Sequence, residues 1–293
     1  MQFLSGILPA AITPFDAEGR FNRRVFEQLL ERLYSAGVDG VYVCGTTGEG
    51  MLQPVQQRQA VVEAAVAATP RGRSVIVHVG AAAFADVQAL TAHAARAGAH
   101  AVSSLPPSAG NFGFRETLAY YRELARISDL PVIVYFFPEA CPGVTTLAQL
   151  EELCAITNVA GVKFTDFDLF KLSQITRPER CVFNGRDEVL AAGLLMGADG
   201  GIGSFYNLVP ERFVEIQALA RAGRWDEARA RQTDVNALIA AVLRFPLFPA
   251  IKQILNWTGL ACGTCVLPRG PLTEAEQVAL RRAVVDAGFP QLG

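Results

Sequence analysis

The sequence predicts an α/β protein, a (β/α)₈ TIM barrel with a C-terminal helical appendix, and three observations carry that reading. Short apolar, β-branched runs recur eight times with an amphipathic stretch after each, the pattern of parallel strands buried on both faces and joined by helices. The polar residues suited to chemistry gather at the C-terminal ends of those runs, where this architecture keeps its sites. Beyond the eighth pair the pattern turns wholly helical. Residues 1–222 are therefore assigned to a catalytic barrel and 223–293 to C-terminal helices.

Taken in order, the apolar runs cover 7–15, 38–45, 74–80, 101–107, 131–138, 159–166, 181–187 and 200–206. The helical patterns between and after them cover 23–36, 54–68, 85–97, 115–127, 147–156, 168–175, 188–196 and 210–222. Three further helices are expected over 225–243, 250–259 and 273–287, with no strand signal among them. Thr273 and Glu276 have capping-box spacing before an apolar run, so a helix should start there. A doubly wound sheet gives similar alternation. Its phosphate-binding fingerprints are missing, because Gly45, Thr46, Thr47 and Gly48 make neither G-x-G-x-x-G nor a P-loop.

With 293 residues, of which 51% are hydrophobic and 18% charged, the chain can bury a large core. Its formal net charge of -2 and mixed charge pattern disfavour a nucleic-acid or membrane-binding surface and favour a small-molecule partner. The apolar stretch over 1–15 lacks a basic leader, and no apolar run reaches the roughly 18 residues of a bilayer span, so a cytoplasmic location is expected. Cys44, Cys141, Cys154 and Cys181 read as isolated reduced thiols. Cys262 and Cys265 form a C-x-x-C that could be redox-active or half a zinc site. It has no second pair, and His78, His93 and His100 are remote in sequence, so no metal is assigned.

The most informative composition fact is the scarcity of lysine: Lys163, Lys171 and Lys252 stand against 23 arginines. Arginine can replace lysine on most solvated surfaces, but its guanidinium stays protonated and forms no imine. Lys171 and Lys252 fall in helical patterns and read as surface residues. Lys163 lies within an apolar strand, where alternation sends Val162 and Phe164 outward and Lys163 into the barrel. A charged amine there loses solvation that the neutral, nucleophilic amine does not need. A structural lysine paired with a buried carboxylate is the alternative.

Tyr135, near the end of the fifth strand, is the one polar side chain beside Phe136 and Phe137, either a proton carrier or a core aromatic with a bonded hydroxyl. Gly45, Thr46, Thr47, Gly48 and Glu49 close the second strand with two hydroxyls and free N–H groups before a helix. That suits a carboxylate, although a plain glycine-rich turn would look the same. Gly185, Asp187 and Glu188 end the seventh strand and Ser204 lies in the eighth. These could accept hydrogen bonds from a polyol, or the two acids could simply open a helix.

These pieces, in this order and spanning nearly the whole chain, resemble the N-acetylneuraminate lyase and dihydrodipicolinate synthase superfamily of class I aldolases. The motifs are 11–15, Gly45 to Glu49, Tyr135-x-x-Pro138, Gly161-Val-Lys163 and 197–204. The resemblance implies that Lys163 is the imine lysine and Tyr135 the proton-transfer phenol, with Thr46 and Thr47 beside the pyruvyl carboxylate. It implies no metal or organic cofactor and a homo-oligomer, by family a tetramer. Synthases place an arginine two residues past Tyr-x-x-Pro. Here Glu139 and Ala140 stand instead, whereas Gly185, Asp187, Glu188 and Ser204 match the lyase's sugar-binding positions. Two positions depart from the lyase pattern: Phe136 replaces the usual asparagine, and the tyrosine after the fourth strand is missing, which leaves the proton relay either incomplete or rebuilt with Ser108.

The expected reaction is cleavage or formation of a carbon–carbon bond between pyruvate and an aldehyde through a Lys163 Schiff base. The alternatives are a 2-oxo-3-deoxy sugar acid aldolase or dehydratase, a dihydrodipicolinate synthase-like enzyme, and a catalytically silent barrel that senses a 2-oxo acid.

Overall fold

Eight parallel strands make one sheet in the computed structural model, which describes residues 4–106 and 112–293. They are β1 (Gly6–Pro9), β2 (Gly40–Val43), β3 (Ser74–His78), β4 (Ala101–Ser104), β5 (Val132–Phe136), β6 (Val159–Phe164), β7 (Cys181–Asn184) and β8 (Gly200–Gly203). The hydrogen-bonded order is β1-β8-β7-β6-β5-β4-β3-β2. A parallel bridge between Ala10 and Tyr42, with Ala11 N–H donating to the Tyr42 carbonyl at 2.8 Å, joins the ends into a barrel.

The helices that follow successive strands are α1 (Arg23–Ser35), α2 (Val55–Ala68), α3 (Phe84–Ala97), α4 (Phe114–Ile127), α5 (Leu147–Cys154), α6 (Leu169–Ile175), α7 (Leu190–Leu195) and α8 (Pro210–Arg221). Three more, α9 (Trp225–Val242), α10 (Leu247–Trp257) and α11 (Glu274–Asp286), complete the chain. The fold is the expected (β/α)₈ barrel with C-terminal helices. Sequence chemistry sets several helix starts: Asn22 caps α1 through Val25 N–H, and full capping boxes at Thr146 and Thr273 open α5 and α11. Among the described residues no single helix is long and apolar enough to cross a membrane.

Two apolar layers follow from strand alternation. Val41, Val43, Val162, Phe164 and Val182 face the helices in the main core, whereas Leu8, Tyr42, Ile76, Ile133, Tyr135 and Phe183 fill the barrel interior. The β5–β6 register slips between Val132 and Ile133, after which Ile133 pairs with Gly161 and Tyr135 with Lys163. Lys163 and Tyr135 are thus same-facing neighbours on adjacent strands.

Strand ends differ from the sequence reading, because the ladders stop sooner than the apolar runs do. The eighth run ends as a strand at Gly203, so Ser204 lies just beyond it and Phe205–Asn207 form a 3₁₀ turn. The seventh ends at Asn184, and Asp187–Val189 form another 3₁₀ turn, so the helix expected from 188 begins at Leu190. Side chains explain the stops. The Asp187 carboxylate accepts from Phe205 N–H at 2.8 Å, while the Asn207 amide accepts from Ile12 N–H at 3.1 Å and donates to the Ala10 carbonyl at 2.8 Å. Backbone groups that could have extended the ladder are satisfied by side chains instead.

Candidate active site

Lys163 is buried at 5% exposure, with its Nζ 3.9 Å from the centre of the Tyr135 ring and 4.5 Å from that of Tyr42. Tyr42, His78 and Tyr135 meet edge to face or tilted, with ring centres 6.2–6.4 Å apart, and so wall the amine with aromatic carbon. The Tyr42 hydroxyl donates to Ser103 Oγ at 3.2 Å, and burial holds its acidity far below that of an ordinary phenol. Burial likewise pushes His78 well below the usual imidazole range, helped by the nearby Arg58 and Lys163 charges. Neutral His78 accepts Leu105 N–H through Nε2 at 3.1 Å. Among the described residues Lys171 and Lys252 have carboxylate partners and Lys163 has none.

The other two lysines correct the sequence reading, which took both for surface residues. Lys171 is half-buried, 3.2 Å from Asp166 and 3.5 Å from Asp168. Lys252, on α10, has 1% side-chain exposure and sits 2.8 Å from the Glu49 carboxylate, itself fully buried. Its ammonium also donates to the Thr264 carbonyl at 2.9 Å and lies 4.0 Å over the Phe15 ring. A charge so deep persists because it is paired and hydrogen-bonded, which a helical periodicity does not reveal.

The turn from Gly45 to Gly50 closes on itself: Glu49 N–H donates to the Thr46 carbonyl at 3.2 Å and Gly50 N–H to the Gly45 carbonyl at 3.0 Å. The N–H groups of Thr46 and Thr47 have no acceptor among the described residues. Thr47 Oγ1 lies 2.7 Å from Ser204 Oγ, so the β2 turn and the end of β8 meet through two hydroxyls. This places Gly45, Thr46, Thr47 and Ser204 at the same end of the barrel as Lys163 and Tyr135.

Gly185, Asp187 and Glu188 follow β7 on that rim. Asp187 is buried, and its carboxyl sits against Gly203, where a Cβ would lie 2.0 Å from Oδ1, so residue 203 must be glycine. Burial raises the Asp187 carboxyl to about 7, against the opposing hydrogen bond from Phe205 N–H and with a further push from Glu188. A Cβ on Gly185 would likewise lie 2.1 Å from Thr165 Oγ1. The position proposed as a proton relay, Ser108, lies outside the described residues.

Two rim residues escaped the sequence reading. Thr165 comes two residues after Lys163, and its buried Oγ1 has no hydrogen-bond partner among the described residues. Period-two alternation from Lys163 was signal enough to find it. Arg186 lies 5.2 Å from the Phe137 ring centre and 4.4 Å from that of Phe167, and it forms an ion pair with Glu139. Phe137 in turn stacks on Tyr135, so Arg186 is two rings from the buried amine. No periodicity predicts that contact, which joins the loops after β5 and β7. Glu139 is therefore an exposed acid paired with Arg186 at the rim.

Known proteins resemble this chain over most of its length. The model of the dihydrodipicolinate synthetase family matches residues 3–287. The N-acetylneuraminate lyase of Rhizobium meliloti (strain 1021) is 39% identical over 283 residues, covering 96% of this chain and 94% of the relative. CdNal of Clostridium difficile, in complex with mannosamine, superposes with a TM-score of 0.91 at 28% identity, covering 97% of this chain and 99% of that one. A catalytic lysine mutant of the sialic acid aldolase of Ruminococcus gnavus gives a TM-score of 0.91 at 27% identity, covering 97% and 96%.

Proposed function

The chain belongs to the dihydrodipicolinate synthetase family and is a class I, pyruvate-dependent carbon–carbon lyase, and from that premise we propose that it cleaves N-acetylneuraminate, or a close sugar acid, through an imine on Lys163. The observation that carries this reading is a buried amine, 3.9 Å from the Tyr135 ring centre, that has no carboxylate partner among the described residues and shares its end of the barrel with a turn whose Thr46 and Thr47 N–H groups have no acceptor among them. The Ruminococcus gnavus relative, by its name, works with a catalytic lysine.

The Lys163 amine adds to the C2 ketone and water leaves carrying the proton of the Tyr135 phenol, giving a protonated imine and a tyrosinate. The C4 hydroxyl then loses its proton to Tyr135 and the C3–C4 pair flows into the imine, which releases an aldehyde and leaves an enamine. Protonation at C3 and hydrolysis free pyruvate and regenerate the amine. The Thr46 and Thr47 N–H groups seat the carboxylate and so orient the reacting bond. Asp187, Glu188, Ser204 and the unpartnered Thr165 hydroxyl receive the polyol beyond it, alongside Gly185. A dicarboxylic partner is disfavoured, because Glu139 already occupies Arg186. A binding-only sensor needs neither the amine nor the phenol.

Cytoplasmic location and a homotetramer belong to the same proposal. Phe167, Phe170, Leu195 and Met196, 53%, 74%, 56% and 42% exposed in α6 and α7 or just beyond their ends, favour a second copy covering that side. Borohydride added with pyruvate should fix a reduced pyruvyl group on Lys163, and incubation with N-acetylneuraminate should release pyruvate. Label on Lys171 or Lys252, or none under saturating pyruvate, would overturn the imine assignment. Turnover of a short dicarboxylic pair in preference to the sugar acid would overturn the substrate.

A further inference from the structure

The C-terminal segment, 225–293, reaches the mouth of the barrel at two separate places. At the first, Glu49 holds a left-handed conformation, φ 56°, with its buried carboxylate ringed by donors from the C-terminal segment. Lys252 Nζ lies at 2.8 Å, Val266 N–H donates at 3.0 Å and Arg269 stands at 3.9 Å. Arg269 also donates to the Thr46 carbonyl at 3.3 Å. That carbonyl and the Thr47 N–H belong to one planar peptide unit, so fixing the oxygen fixes the direction of the N–H.

At the second place, α9 holds the loop after β7. Gln232 Nε2 donates to the Asp187 carbonyl at 2.9 Å and Asn236 Nδ2 to the Glu188 carbonyl at 2.9 Å. Gln232 bridges further, donating to Asn236 Oδ1 and accepting Ala191 N–H, each at 2.9 Å. The same planarity couples these carbonyls to the orientation of the rim beneath Asp187 and Glu188.

We propose that the C-terminal segment positions the two halves of the substrate independently: Lys252 on α10 and Arg269 in the loop before α11 set the carboxylate turn through Glu49 and Thr46, and Gln232 and Asn236 on α9 set the sugar-facing rim through the backbone at 187–188. These four are positioning residues, since each acts through another group. Uniform support of the fold would lower stability without telling the two substrate halves apart. Independent support predicts that each contact controls one half only.

The inference rests on the function proposed above and is tested in the condensation direction, varying pyruvate and N-acetylmannosamine separately. Arg269→Gln should raise the KM for pyruvate about 10-fold, the loss expected for one charged hydrogen bond, and leave the KM for the sugar within about two-fold. Arg269→Lys should recover part of the loss. Asn236→Ala should do the converse, raising the sugar KM by about 3- to 10-fold at constant pyruvate KM. Both side chains are partly exposed, and thermal melts of the variants control for folding. Half-saturation of borohydride labelling by pyruvate gives the same answer for Arg269→Gln without turnover. Equal rises in both KM values, or an unchanged pyruvate KM in Arg269→Gln, would overturn independent positioning. If the parent protein neither labels with pyruvate nor condenses the pair, the proposed function fails and the positioning scheme falls with it.

Discussion

Replacing Asp187 by asparagine should remove a pH dependence of stability whose size follows from burial. The carboxyl is raised from its ordinary 3.8 to about 7, chiefly because ionising it inside the rim forfeits hydration. A raised carboxyl reverses the usual sign: its contribution is fully present below 3.8, where both states are protonated, and is lost as pH climbs to about 7. Between pH 5 and 7 the unfolded chain has already released its proton while the folded chain keeps it. Stability therefore falls across that window by about 1.4 kcal/mol per unit, or on the order of 3 kcal/mol in total. Asparagine keeps an oxygen to accept from Phe205 N–H and has nothing to ionise. Urea unfolding of parent and variant at pH 5, 6, 7 and 8 should show the variant gaining on the parent by that amount and then holding level. Parallel curves across the series would show that Asp187 is already ionised at pH 5, and the desolvated rim described above would be wrong.

Tyr135→Phe should leave borohydride trapping of pyruvate intact while lowering turnover by roughly 10²–10⁴-fold, the range for a positioned acid–base group; turnover within a few-fold of the parent would make Tyr135 a packing residue. Arg186→Gln, which removes the guanidinium from between Phe137 and Phe167 and frees Glu139, should cut kcat/KM for the long sugar acid by about 3- to 30-fold. Pyruvate labelling should not change with it, and a parallel loss of labelling would move the role of Arg186 from the tail to the amine. Thr273→Ala should cost about 1 kcal/mol through the lost cap of α11. Calorimetry should then record a fall in Tm of about 1–2 °C with activity retained, and an unchanged Tm would mean that the cap is immaterial to α11.

Much of the barrel was legible because its information is periodic. Eight buried strands and their helices repeat one pattern, and alternation around Val162 and Phe164 fixed the direction of Lys163. Ends were less legible, since the ladder stops at Asn184 and Gly203 depend on Asp187 capturing Phe205 N–H across 18 residues of chain. Contacts between distant loops leave no local trace. Glu139 and Arg186 are 47 residues apart, and neither spacing nor hydropathy announces that they pair with each other.

The lysines show where a sound composition argument stops. Scarcity against arginine says that a surviving lysine is more often needed for its amine, and two of the three, Lys163 and Lys252, are buried. On the imine reading proposed above, Lys163 needs an unpaired nitrogen that attacks a carbonyl. Lys252 needs a compact cation that fits beside a fully buried carboxylate while reaching the Thr264 carbonyl, a volume in which a planar guanidinium would have to project its fork into packed chain. One composition signal therefore marks two kinds of requirement, chemical and steric. Partnership separates them: Lys252 has a carboxylate at 2.8 Å and holds the turn, whereas Lys163, among aromatic rings and with no carboxylate among the described residues, is the amine we propose for the substrate.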